Sequence, residues 1–220
     1  MFRLDWICLC RILISVISLR FYLRIEDTDS KREVAGATDL ILSSLKHFKI
    51  YPTEGFSYGG NYGPYKQSER KDIYQAYAKK LVSEGKAYPC FMSEEEISEI
   101  REGQELRKEA IGIYGVYAVD RDLSLEEVKE HLAKGDSYVI RMKSPGDMHK
   151  EIVLHDMIKG EIVLPENIID EVLLKKDGIP TYHFAHVVDD HLMHTTHVTR
   201  GDEWVPSFPK HLQLCQLLGP

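Results

Sequence analysis

Five residues of strand length, Phe21-Tyr22-Leu23-Arg24-Ile25, run straight into Glu26-Asp27-Thr28-Asp29-Ser30-Lys31-Arg32, and this junction constrains the fold more than any other part of the chain. Behind it, Ile41, Leu45 and Phe48 recur at helical spacing within Val34 to Phe48, so the segment predicts one buried strand followed by one amphipathic helix. In open α/β folds the crevice beyond the carboxyl ends of the strands is where ligands bind. Arg24, Glu26, Asp27, Asp29 and Arg32 would offer that crevice charges of both signs, which suits a zwitterion or a nucleotide. Asp27 and Asp29 suit the capping of the following helix equally well, and the spacing leaves both roles open.

Further along, residues 51–65 are rich in Gly, Tyr and Pro and read as an ordered loop. Ser68 to Glu84 predicts a helix with Tyr74, Tyr77 and Leu81 on one face and Gly85 as its stop; aromatics at this spacing usually serve the core. From about Ala87 the pattern changes. Ser93 with Glu96, and Ser124 with Glu127, are capping-box signatures that open two helices, one reaching about residue 108 and one stopping at Gly135. Short alternating segments follow at Ser137–Lys143, Ile152–Asp156, Glu161–Leu164 and Glu171–Lys175, leading to a turn at Asp177-Gly178. The whole reads as an α/β protein with an α+β insertion inside a split α/β domain.

The composition is that of a globular protein, and a net charge of −7 argues against nonspecific nucleic-acid binding. Local basic clusters remain: Lys66, Arg70, Lys71, Lys79, Lys80 and Lys86, and Arg141, Lys143 and Lys150, each as well suited to a solvated helix face as to phosphate contact. Cysteines at 8, 10, 90 and 215 form no C-x-x-C pair and no disulfide framework, which fits a cytoplasmic protein. Histidines 183, 186, 191, 194 and 197 near Asp189 and Asp190 have metal-binding chemistry but poor spacing, so no metal is expected there. Asp189 and Asp190 serve equally well to cap or salt-bridge a helix. Residues 6–19 are apolar but interrupted by Arg11, too short for a membrane span and without a signal-peptide cleavage site; Leu4–Leu19 fits a buried helix or a strand.

The run Arg24-Ile25-Glu26-Asp27-Thr28-Asp29 resembles the motif of glutamyl-tRNA synthetases, class I aminoacyl-tRNA synthetases of the glutamate/glutamine branch. The glutaminyl relatives carry an Asp-Asp-Thr-Asn version. Gly178 to Trp204 resembles the second half-site of the same family, and Gly63–Arg70 and Gly85–Phe91 are also similar to it, so four ordered blocks cover the chain from about Phe21 to its end. The resemblance implies a partial Rossmann-like catalytic domain of the class I type: an atypical apolar segment at 1–20, the first part of the catalytic domain at 21–86, an inserted subdomain gripping the tRNA acceptor end at 87–175, and the start of the second catalytic half at 176–220.

It further implies ATP-dependent attachment of glutamate to tRNA(Glu) through a glutamyl-adenylate, with Mg²⁺ arriving on ATP. By resemblance, Glu26 takes the substrate ammonium, while Tyr182 and Arg200 contact the side-chain carboxylate. His186 stands where many members have Asn and retains a hydrogen-bonding group. Arg32 lies near the substrate or the tRNA end, and Glu203 and Trp204 match nucleotide-facing positions. No zinc is expected, because Cys90 is followed by Phe91 and Met92 where some members carry a C-x-C knuckle. A monomer with no membrane association is expected.

Two family motifs have no match among the 220 residues: the Pro-Ser-Pro-Thr-Gly to His-x-Gly-His segment and the Lys-Met-Ser-Lys-Ser loop, both of which bind ATP phosphates in the family. The expectation is therefore a truncated core, inactive alone in amino-acid activation. A noncatalytic tRNA- or glutamate-binding module, and the paralogue that glutamylates a queuosine base, are the alternatives.

Overall fold

The computed structural model describes residues 20–28, 36–198 and 201–219, and these divide between Lys71 and Asp72 into two compact units. The proposed helix or strand at Leu4–Leu19, together with Asp29, Arg32 and Arg200, lies outside the described residues.

In the first unit, strand β1 (Tyr22–Leu23) pairs in parallel with β2 (Glu54–Gly55), and Ile25 bridges to Lys66 in the same sense. The expected strand is thus present, shorter than Phe21–Ile25 in regular pairing, with Ile25 N–H donating to the Tyr65 carbonyl at 2.8 Å and its own carbonyl accepting from Gln67 at 3.0 Å. Gly55 is fixed by this pairing, because a Cβ there would collide with the Leu23 backbone and its φ of 139° is one that side chains rarely adopt. Helix α1 (Ala37–His47) connects the two strands; Ile41, Leu45 and Phe48 are half-buried.

The loop after β2 is organised around the buried Glu54 carboxylate. Tyr65 donates its hydroxyl to it, and the N–H groups of Asn61 and Tyr62 donate at 2.7 and 3.1 Å. Burial works to raise the Glu54 carboxyl, but these donors and the charge of Arg20 outweigh it and hold the group below the ordinary carboxylate range. Arg70 closes the loop from below, its guanidinium donating to the carbonyls of Tyr62 and Pro64 at 3.1 and 3.0 Å.

In the second unit, β3 (Ala87–Cys90), β4 (Val139–Met142) and β7 (Val172–Leu174) form an antiparallel sheet in the order β3-β4-β7. Alternation along a strand sends successive side chains to opposite faces, and along β3 and β4 it separates two cores. Ala87, Ile140 and Met142 join Leu173 and Leu174 against helix α2 (Lys71–Ser83), α5 (Tyr182–Leu192) and α6 (Phe208–Leu218). Tyr88, Cys90 and Val139 face the other way, onto Met92, Ile113, Ala118 and helix α3 (Glu94–Arg107). Tyr74 and Leu81 are buried in the first core, as their spacing predicts.

Both capping boxes are formed. Ser93 opens α3 and Ser124 opens α4 (Leu125–Lys134), each exchanging hydrogen bonds with the Glu three residues on, and Gly135 ends α4 in the left-handed conformation at φ 80°. Strands β5 (Glu151–Asp156) and β6 (Gly160–Pro165) make a separate hairpin whose turn is tied by Asp156 accepting from Ile158 and Lys159, both at 2.8 Å.

Asp170, fully buried, joins the sheet's second face to its surroundings. Its carboxylate accepts from Tyr88 Oη at 3.0 Å, from Ser144 N at 2.7 Å and from Arg121 at 3.2 Å, while Arg141 donates to its carbonyl at 3.0 Å. Burial is the largest influence and raises the Asp170 carboxyl above its ordinary value despite these donors. Cys90 is a buried free thiol, also pushed up by burial.

Candidate functional site

In the first unit the charges behind β1 have separate fates. Glu26 is exposed and pairs with Arg24 at 3.6 Å. Asp27 turns inward: its Oδ1 accepts from Ser68 N at 2.8 Å and its Oδ2 lies 3.4 Å from Lys66 Nζ. Burial acts to raise Asp27, but the hydrogen bonds from Ser68 and Lys66 prevail and hold it below the usual carboxylate range. Asp27 does not cap the helix next in sequence, α1, which starts at Gly36 with no side-chain cap bond; it holds an N–H of the 3₁₀ turn Gln67–Arg70 ahead of α2 instead. A partner 41 residues away carries no local sequence signal.

In the second unit α5 sets the site. Thr181 stands at its N-cap position, but its hydroxyl donates to the Val172 carbonyl at 2.6 Å and so ties the helix start to β7. From there Tyr182 and His186, one turn apart, stack with ring centroids 6.0 Å apart and planes 5° from parallel. His186 Nε2 lies 2.8 Å from Asp190 Oδ2, which orients the imidazole along the helix. Trp204, in the 3₁₀ turn Asp202–Ser207, packs on Tyr182 at 5.0 Å. Glu203 is exposed beside it, its carboxylate folded back over Gly201, where a Cβ would strike it. The structure thus brings Tyr182, His186 and Trp204 into one aromatic cluster with Glu203 at its margin.

Two members of this neighbourhood carry no sequence motif. His211 of α6 meets His183 with Nδ1 and Nε2 2.8 Å apart and sits 5.5 Å from the His186 ring. A hydrogen bond between two imidazole nitrogens needs one to donate and the other to accept, so the pair fixes complementary tautomers. Tyr74 of α2 reaches Asp189 of α5, its hydroxyl 3.0 and 2.9 Å from the two carboxylate oxygens. Of the two aspartates, Asp189 therefore packs inward on Tyr74, while Asp190 pairs with His186 one turn back on the same helix. Among the described residues, no group of three or more His, Cys, Asp or Glu is arranged to hold a metal ion.

The first unit thus has a parallel strand pair with charged residues at its carboxyl end, where open α/β folds bind ligands, and the second has the Tyr182, His186 and Trp204 rings. Residues 19–220 match the family model described as tRNA synthetases class I (E and Q), catalytic domain, and the chain belongs to that family.

Within the family, the chain is 55% identical over 203 residues to the glutamate–tRNA ligase of Clostridium perfringens (strain 13 / Type A), a match covering 90% of this chain and 37% of that one. It is 53% identical over 202 residues to the glutamate–tRNA ligase of Acetivibrio thermocellus, with the same coverages. Among solved structures, a glutamate tRNA ligase from Elizabethkingia meningosepticum CCUG26117 in complex with its amino acid superposes with a TM-score of 0.86 at 39% identity, over 97% of this chain and 43% of that one. The glutamate–tRNA synthetase of Elizabethkingia anophelis gives 0.81 at 41% identity, over 92% and 41%. The chain thus spans 37% of the length of the curated relatives named here. Its mixed α/β architecture is part of a class I synthetase catalytic domain.

Proposed function

We propose that the chain supplies part of the catalytic domain of a glutamate–tRNA ligase, which activates glutamate with ATP and transfers it to tRNA(Glu). The observation that carries this reading is the family match over residues 19–220. Activation is an in-line attack of the substrate carboxylate on the α-phosphate of ATP, which calls for positioning and charge neutralisation and no protein nucleophile.

The residues suit that task. Glu26, exposed at the end of its strand, offers a carboxylate to the substrate ammonium. Arg200 offers a guanidinium, which holds a carboxylate through two parallel hydrogen bonds. Tyr182 and His186, stacked one turn apart, offer a phenol and an imidazole to the substrate's side-chain carboxylate. Trp204 and Glu203 face the nucleotide, Mg²⁺ enters with ATP, and Arg32 serves the substrate or tRNA end. Residues 87–175 form the subdomain that grips the acceptor end, between catalytic segments at 21–86 and 176–220.

Calorimetric titration of the chain with glutamate, using glutamine and aspartate as controls, tests the assignment. Glutamate is expected to bind in preference to both, and Arg200→Ala is expected to abolish binding. An unchanged affinity in Arg200→Ala removes Arg200 from the site. Glutamate or tRNA binding without ATP–pyrophosphate exchange marks this 220-residue chain as a binding unit.

A further inference from the structure

Glu26 stands between two residues that are both tied to the segment Tyr65–Ser68. On one side Ile25 bridges in parallel to Lys66, donating to the Tyr65 carbonyl at 2.8 Å and accepting from Gln67 N–H at 3.0 Å. Beyond Lys66 the chain turns into the 3₁₀ segment Gln67–Arg70, and the first N–H groups of a helical turn have no acceptor within it. On the other side of Glu26 the Asp27 carboxylate meets that need: its Oδ1 accepts from Ser68 N at 2.8 Å, and its Oδ2 lies 3.4 Å from Lys66 Nζ. The segment is itself held, because Tyr65 donates its hydroxyl to the buried Glu54 carboxylate and Arg70 donates to the Tyr62 and Pro64 carbonyls.

Each residue brings two soft dihedrals, so a side chain anchored on one side only follows every movement of the chain beyond it. Ties at both Ile25 and Asp27 make Glu26 a short bridge between two anchored points. Arg24 steadies the Glu26 carboxylate at 3.6 Å from the same stretch of chain, whereas Asp27 sets that stretch against another. We propose that Asp27 is a positioning residue that sets where the Glu26 carboxylate stands. A binding site tolerates displacements of about 0.5 Å, less than a strand end released on one side would move. The inference rests on the reading of Glu26 as the partner of the substrate ammonium.

The test measures glutamate and glutarate affinities by calorimetry in the unaltered chain, Asp27→Ala, Asp27→Asn, Glu26→Gln, and the double variant of Glu26→Gln with Asp27→Ala. Crystal structures of the unaltered chain and the two Asp27 variants accompany it. Glutarate keeps both carboxylates of glutamate and lacks the ammonium. Asp27→Ala is expected to weaken glutamate about tenfold, to leave glutarate within about twofold, and to displace the Glu26 carboxylate. Asp27→Asn keeps an acceptor for Ser68 N–H and is expected to recover most of the loss. In the Glu26→Gln background, removing Asp27 is expected to add little, because residues acting through one contact are not additive.

Equal weakening of glutamate and glutarate, additive losses in the double variant, or Glu26 in its original place in Asp27→Ala overturns the proposal and leaves Asp27 to the stability of the turn. If Asp27→Ala does not fold, Asp27→Asn decides: Glu26 in place with most of the affinity retained upholds the proposal, and a displaced Glu26 or a loss as large as that of Glu26→Gln overturns it. Should the unaltered chain bind no glutamate, the functional reading fails, while the place of Glu26 in the crystal structures still decides the positioning role.

Discussion

Helices α4 and α5 are ten and eleven residues long and are held by opposite means. α4 buries none of its residues; it is defined by its ends, a Ser124–Glu127 capping box at the start and left-handed Gly135 at the finish. α5 makes no side-chain cap bond, yet Phe184 through Asp189 are all buried and its polar groups are tied to other elements: Thr181 to β7, His183 to α6, Asp189 to α2. The helix with strong local signals is the one that carries no candidate residue. The helix that carries Tyr182 and His186 takes its place from distant partners, as a site must when its geometry has to survive local fluctuation.

The largest expected contrast is in packing. Phe184 is completely buried in the main core, and Phe184→Ala is expected to destabilise the second unit by about 3–5 kcal/mol in a urea titration. Leu132, on α4, is 48% exposed, and Leu132→Ala is expected to change stability by about 0.5 kcal/mol or less. Similar losses for the two would mean that α4 also owes its stability to tertiary contact.

A finer contrast lies at the two helix starts. Aspartate and serine are comparable N-caps, so Ser124→Asp is expected to be nearly neutral. At Thr181 the same change removes a donor, because a carboxylate cannot donate to the Val172 carbonyl, and Thr181→Asp is expected to cost about 1–3 kcal/mol. Equal tolerance at both positions would return Thr181 to the role of an ordinary cap.

The same contrast explains what could be read from the chain in advance. Both capping boxes, the Gly135 stop, the Tyr74–Leu81 stripe and the strand–charge junction at Phe21–Arg32 depend on residues within a turn or two of one another, where periodicity and capping chemistry act. The roles proposed for Glu26, Tyr182, His186 and Trp204 come only from the resemblance of their motifs to a family; nothing in their spacing selects glutamate. Ser68 for Asp27, His211 for His183, and Tyr74 for Asp189 lie 41, 28 and 115 residues from their partners, so only the fold can pair them. Asp170 is the extreme case: an acidic residue in an ordinary loop, it becomes fully buried because Tyr88, Arg121 and Ser144 converge on it.

The smallest expected effect concerns pH at the start of α4. The Glu127 carboxyl is held below its ordinary value of 4.5, first by the Ser124 backbone N–H and then by its side chain. A carboxylate depressed in the folded state contributes stability that is fully present above the unfolded value and is lost as pH falls through the folded one. The α4 cap is therefore intact at neutral pH and weakens in acid below about pH 4.5. Because Ser124 N–H donates to Glu127 at 2.8 Å, its amide resonance is expected to follow the Glu127 titration, and Glu127→Gln, which keeps an acceptor without a titrating proton, is expected to flatten that response. The first turn of α5 contains no acidic residue, so the Thr181 amide is expected to stay level over the same range. A Ser124 response that survives in Glu127→Gln would show that the acid sensitivity of this end comes from elsewhere and that α4 is not governed by its own cap.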